Sequence, residues 1–264
     1  MKTRMFITVL CALVASPAFG DLATPGHGAG DPGGTAYYTR VTGYYEGFGG
    51  EITLEGSGLL LSNSEYASVA KGVLSGSGQQ TTRSFQTFCM EYGEPFYEPM
   101  EVWVSQASTT ALGTYGSGSH AYEGGVAAVG DNLDSRTAYL YTQFALGTLS
   151  SYSYGDLTVA AGSRRWDAEQ LQKAIWYIEG ESGGSNAGQA GTWIAEAQAA
   201  IDAGSWSGIG SVRALQMYRR MVSPAGVVSY RLQQDMLYVV PVPGAVLLGM
   251  LGLSVAGVKL RKYA

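Results

Sequence analysis

Residues 167–181 read DAEQLQKAIWYIEGE, and they decide which kind of fold the chain can adopt. Leu171, Ala174, Ile175 and Ile178 recur at three- and four-residue spacing, the apolar stripe of an amphipathic helix. Asp167 with Gln170 three residues on makes a capping-box pattern. The spacing therefore predicts a helix from near Ala168 to about Glu181, stopped by Ser182-Gly183-Gly184. Gln172 falls at the edge of the buried face beside Ile175 and Trp176, where an uncharged amide needs a hydrogen-bond partner.

Upstream of this helix the period is two. AYYTRVTG (36–43), EITLEG (51–56), SFQTFCMEYG (84–93) and EVWVSQA (101–107) alternate between Gly- and Ser-rich turns and read as strands. On the third of these, Phe85, Thr87, Cys89 and Glu91 share one face, and Gln86, Phe88 and Met90 share the other. From Asp134 the period lengthens. SRTAYLYTQFALG (135–147), GTWIAEAQAAIDAG (191–204) and SVRALQMYRR (211–220) join the opening stretch as expected helices, and VVSYRLQQDMLYVV (227–240) returns to strand. No internal repeat is visible. The expected class is α+β: a β-rich N-terminal half, sandwich or barrel-like, with a helical insertion of three to four helices and a single C-terminal transmembrane helix.

The termini set the expected topology. Residues 1–20 carry Lys2 and Arg4, an apolar run from Met5 to Ala15 and a small-residue site at Ala18-Phe19-Gly20, which is the pattern of a secretory signal peptide. Residues 21–35 form a Gly/Pro-rich flexible linker that includes His27. Residues 36–240 are the expected ectodomain, and residues 241–264 the anchor. Within the anchor, Val242 to Val258 is uncharged and Lys259, Arg261 and Lys262 follow it. As a helix this run spans about 25 Å, enough for a thin bilayer, with the basic end on the cytoplasmic side. The stretch VPVPGAVLLGMLGLSVAGVKLRKYA also resembles the PEP-CTERM sorting signals of bacterial envelope proteins. That resemblance implies an exosortase-like processing enzyme as a partner, and a protein exported to the bacterial cell envelope, either held there by the helix or released after processing.

Charge and cysteine count narrow the classes further. Residues 21–240 hold eleven Lys and Arg against twenty-one Asp and Glu, a net charge of −10 that argues against nucleic acid or an anionic membrane surface as partner. Lys71 and Lys173 are the only lysines in that span. Cys11 lies in the expected signal peptide, so the mature chain keeps one thiol, Cys89, and forms no internal disulfide.

TFCMEYGE around Cys89 and LQKAIWY around Gln172 together resemble the two halves of a bacterial thioester domain of surface adhesins, over roughly residues 85–180. In that family a strand cysteine after an aromatic residue accompanies a helical Gln-x-Ala-Ile-Trp. Here these are Phe88, Cys89 and Gln172-Lys173-Ala174-Ile175-Trp176. The resemblance implies an internal thioester between Cys89 and Gln172, and covalent attachment to an amine-bearing protein or glycan on a surface or in the extracellular matrix. The chemistry suits the residue types: a thiolate is the nucleophile, and a primary amide can expel ammonia and leave an acyl group. Thr142-Gln143-Phe144-Ala145 supplies a rival glutamine without the Ile-Trp that follows Gln172.

The alternative is a non-reactive structural envelope or matrix protein, in which Cys89 is a small buried hydrophobe and Gln172 a satisfied core amide. In neither case is the chain an enzyme, beyond self-reactive single-turnover chemistry, and no cofactor is implied. A Cys89–His120 hydrolase dyad can be written, but His120 sits in the Gly/Ser loop YGSGSHAYEGG. Asp131, Asn132 and Asp134 offer oxygens to calcium, or else shape a turn in which Asp134 caps the helix from Ser135. Neither a phosphate-binding Gly loop nor a Cys/His metal spacing occurs in the sequence.

Overall fold

The alternating segments form short antiparallel strands. A computed structural model describes residues 35–40, 44–46, 49–57, 84–92, 100–111, 131–155, 162–226 and 228–239. The expected signal peptide, linker, anchor and sorting signal, and both histidines, lie outside the described residues. The strands are β1 (Thr35–Thr39), β2 (Tyr45–Glu46), β3 (Gly49–Gly50), β4 (Ile52–Ser57), β5 (Ser84–Thr87), β6 (Met100–Ser108), β7 (Thr110–Ala111), β8 (Asp131–Asn132), β9 (Val212–Val222), β10 (Val228–Leu232) and β11 (Met236–Val239). Among the described residues, three helices lie between β8 and β9: α1 (Ser135–Leu146), α2 (Arg164–Ile178) and α3 (Gly188–Asp202). The described chain is thus mixed α+β. None of its helices is long and apolar enough to cross a membrane.

The main sheet runs β10-β9-β6-β1-β4-β5, and β11 pairs with β9 on the edge that β10 also uses. Beyond Thr87 the chain of β5 turns onto β11. Cys89 bridges Met236, Met90 N–H donates to Asp235 O (2.9 Å), and Leu237 N–H donates to Phe88 O (3.1 Å). The pairings therefore return to β9, so the edges of β5 and β11 satisfy each other instead of facing solvent.

Two expectations about local structure are corrected. The segment SVRALQMYRR, read as a helix, is the strand β9. Residues Ala214 to Tyr218 are buried in succession because β9 lies between β6 and the β10–β11 edge, and a short apolar run buried on all sides does not declare its period. The opening helix begins earlier than Ala168 and ends before Glu181. Ser163, set after Gly162 at φ 78°, is its N-cap, with Oγ accepting from Trp166 N–H (3.4 Å). Asp167 instead lies buried in the first turn and accepts from Ser153 N–H (2.7 Å). Asp134 does cap α1, accepting from Arg136 N–H (2.7 Å) and pairing with the Arg136 guanidinium.

One apolar core joins sheet and helices, with Phe88, Leu140, Phe144, Leu171, Ile175, Trp193, Leu215 and Leu237 among its members. Phe88 meets Phe144 of α1 edge-on at 4.9 Å between ring centroids, so the face of β5 opposite Cys89 is fixed against the helices.

Candidate functional site

Cys89 sits where a strand loses its neighbour. The last pair between β4 and β5 is Ile52 with Thr87. Beyond it Gly50, at φ 122°, turns the chain away from where a partner for Cys89 would lie. In the bridge to Met236 the hydrogen bonds belong to the flanking residues, so the N–H and C=O of Cys89 point to the opposite side. Buried there without partners, they would each carry a desolvation penalty.

Gln172 supplies those partners. Its Oε1 accepts from Cys89 N–H (3.0 Å) and its Nε2 donates to Cys89 O (2.7 Å). The carboxamide thus stands in for one peptide unit of the missing strand. This accounts for an uncharged glutamine, 0 % exposed, in a core helix. Gly49 leaves room for it, since a Cβ there would lie 2.9 Å from Gln172 Cγ and 3.4 Å from Trp176 Cη2.

The Cys89 sulfur faces a different glutamine. Sγ donates to Gln234 Oε1 at 2.8 Å, and Gln234 Nε2 donates to Glu91 O (3.2 Å). Glu91 O also accepts from Trp176 Nε1–H (3.1 Å), so one carbonyl holds both the Gln234 amide and the tryptophan of α2. Gln234 reaches the sulfur through the break between β10 and β11. There Gln233 N–H donates to Met217 O (3.0 Å), Asp235 Oδ1 accepts from Met217 N–H (3.2 Å), and Asp235 N–H donates to Glu91 Oε2 (2.8 Å). The side chain of Asp235 takes the place of a ladder carbonyl and leaves Gln234 turned toward Cys89. Cys89 is 3 % and Gln234 7 % exposed, so bulk water has little access to either.

The expected pair Cys89 and Gln172 is thus brought together, with the Gln172 carboxamide bonded to the Cys89 N–H and C=O. Gln234, which accepts from the sulfur, is not among the residues the sequence singles out. The polar triplet Gln233-Gln234-Asp235, set between Leu232 and Met236 in a segment expected to be strand, is the available signal. Gln143 does not join the group. It lies at the C-terminal end of α1, where its Oε1 accepts from Thr148 Oγ1 (2.6 Å).

An ion pair fixes the elements around the site. Arg164, at the start of α2, donates from Nε and Nη2 to the two Glu51 carboxylate oxygens (2.7 Å each), and both side chains are fully buried. Tyr152 O–H donates to Glu51 Oε1 (2.5 Å), Arg164 Nη1 donates to Tyr154 O (2.8 Å), and the guanidinium carbon lies 4.0 Å from the Tyr44 ring centroid. Burial, with the Glu51 carboxylate beside it, pushes the Tyr152 phenol well above its ordinary pKa. Glu51 directly follows Gly50, so this pair holds the β2–β3 hairpin on α2 where Gly49 meets Gln172. At the other end of α2, Glu179 Oε1 accepts from Asp134 N–H (3.3 Å), and burial raises its carboxyl to about 7.

No group of three or more His, Cys, Asp or Glu suited to a metal ion occurs among the described residues. Of the calcium candidates, Asp134 is committed to its cap and to Arg136 and Asn132 is exposed, while the Asp131 side chain lies outside what is described. What the arrangement can do chemically is bring a buried thiol against a primary carboxamide whose nitrogen is pinned, while a second carboxamide immobilises the thiol's own backbone. No family model, no curated protein and no solved structure matches the chain.

Proposed function

We propose that the chain is a thioester module of an exported bacterial surface or matrix protein, one that attaches covalently to amine-bearing partners. The observation that carries the reading is the contact of Cys89 Sγ with the Gln234 carboxamide at 2.8 Å. The thiol adds to Gln234 Cδ, the C–N bond breaks, and ammonia leaves with the thiol proton, so that a thioester joins residues 89 and 234. A partner's amine then attacks the same carbon and the C–S bond breaks. The amine's proton passes to sulfur, leaving a free thiol and an amide. Groups held in this way react at effective molarities of about 10⁵ M or more.

A second reading takes Gln172 as the acyl donor, favoured by its two hydrogen bonds to Cys89 and by the Gln-x-Ala-Ile-Trp resemblance. The contact of the sulfur itself supports Gln234, with Gln172 as the clamp on the Cys89 backbone. Export, an anchor at residues 241–264 and exosortase-like processing rest on the terminal sequence patterns and complete the proposal of an adhesive module at the cell envelope. The inert structural protein remains the competing class.

Intact mass and peptide mapping test these readings. The thioester predicts a mature chain lighter by one ammonia, and methylamine then adds once, freeing one thiol and leaving a chain heavier than the plain sequence by one CH2. The adduct maps to the Gln234 peptide on the first reading and to the Gln172 peptide on the second. A chain of plain sequence mass with a freely titratable thiol and no adduct after long incubation would leave only the structural protein.

A further inference from the structure

One carbonyl oxygen marks the place of the nitrogen that thioester formation expels. Glu91 O accepts from Gln234 Nε2 (3.2 Å) and from Trp176 Nε1–H (3.1 Å). Its residue is fixed from two further directions. Glu91 Oε2 accepts from Asp235 N–H (2.8 Å), and Met90 N–H, one residue earlier, donates to Asp235 O (2.9 Å). Glu91 and Trp176 are both buried, so the carbonyl is held in a dry place with its direction set. When ammonia leaves Gln234 Cδ, Glu91 O loses one donor while Trp176 keeps its hold. Ammonia returning to that carbon retraces the same path and restores the same hydrogen bond, because the forward and reverse steps share one transition state. Another amine that attacks the carbon along this path brings its nitrogen to the same place, already oriented.

We propose that the Glu91 carbonyl is the nucleophile subsite of the thioester and selects primary amines, the class to which a lysine ε-amine belongs, over secondary amines and hydroxyls. The inference rests on the thioester reading with Gln234 as the acyl residue. A primary amine gives one proton to sulfur as the C–S bond breaks, and the new amide keeps one N–H for Glu91 O. A secondary amine makes the same exchange and keeps none. A hydroxyl leaves an ester oxygen there, and water a carboxylate, each of which sets a lone pair against the carbonyl in place of a donor.

The test gives the full chain ethylamine or dimethylamine, isomers of one mass and closely similar basicity, and follows adduct mass against time. A small free thioester supplies the ratio of their intrinsic rates. In the protein, ethylamine is expected to gain a further factor of roughly 3–10 over dimethylamine, the worth of one neutral hydrogen bond. Ethylamine labelled with heavy nitrogen gives a second readout: the amide proton of its Gln234 adduct should exchange slowly with solvent, as a buried, bonded N–H does. A rate ratio equal to that of the free thioester, or an adduct proton that exchanges freely, overturns the subsite, while the adduct on Gln234 leaves the thioester standing. An adduct on Gln172, or a chain of plain sequence mass that takes up neither amine, removes the acyl residue on which the subsite depends and the subsite with it.

Discussion

Replacing Arg164 by Met is expected to be among the most damaging single changes in the described domain, and the size of the effect follows from what surrounds it. The guanidinium makes two 2.7 Å bonds to Glu51 and one of 2.8 Å to Tyr154 O, with both charged side chains at 0 % exposure. Methionine fills much of the volume but leaves the Glu51 carboxylate buried, with only the Tyr152 hydroxyl among the side-chain donors just described. Breaking one partner of such a pair costs about 3–5 kcal/mol, well beyond the loss of a surface pair. For a domain of this size that is a fall of roughly 6–20 °C in Tm. Urea and thermal unfolding of Arg164→Met, Glu51→Gln and the double variant provide the measurement. The double variant should recover a large part of the loss, because it removes the isolated charge and not only the contact. Amide exchange at Cys89 should also quicken in Arg164→Met, since Glu51 holds the hairpin whose Gly49 packs on Gln172. A loss below about 1 kcal/mol would refute the reasoning and mean that the pair is hydrated like one at the surface. A double variant no better than the single would place the cost in packing.

Three further outcomes are expected. Glu179 holds its proton more tightly folded than unfolded, so its contribution is full below about 4.5 and lost as pH rises through about 7; Glu179→Gln should exceed wild type in stability above pH 7 by up to about 3 kcal/mol and lose that advantage near pH 4, and a difference that does not vary with pH would contradict this. Opening a Cys89–Gln234 thioester with methylamine releases a link between positions 145 apart; in the chain-entropy model that is about 5 kcal/mol, a Tm lower by roughly 10–20 °C, which Cys89→Ala should share and which an adduct of unaltered Tm would rule out. Deleting residues 242–264 should release the protein to the medium, and retention in the membrane fraction would sink the proposed topology.

What was legible in the sequence was what rests on local pattern. Asp134 before Ser135 announced the start of α1 because a cap needs only a side chain two or three residues from its target. Gln172 stood out because a polar amide beside Ile175 and Trp176 must find a partner, and the partner is Cys89. The strand β9 carries a helix-like pattern in the sequence because residues 212–218 are enclosed by strands whose identity depends on the rest of the chain. Ser163 does not stand out as a cap because Asp167 fits the same rule, and only the tertiary contact with Ser153 draws Asp167 away from it.

Gln234 shows the limit most plainly, and the reason lies in how the two glutamines divide their work. A helix residue can be placed against Cys89 by its own periodicity, since the stripe says which side is buried. A residue in the break between two strands has no such rule. Its direction is set by Asp235 taking a ladder position at Met217, by Glu91 receiving both the Asp235 N–H and the Gln234 amide, and by the return of β11 onto the end of β5. Each of these joins segments far apart in the chain. The same circumstance makes the site possible. A cysteine in an intact ladder would have its backbone satisfied by a neighbouring strand, leaving little room for a helix to approach. The departure of β4 at Gly50 opens that side to α2 and so to Gln172 and Trp176. With Gln172 restoring the lost backbone bonds, the thiol is held still against Gln234 without exposing a strand edge to water.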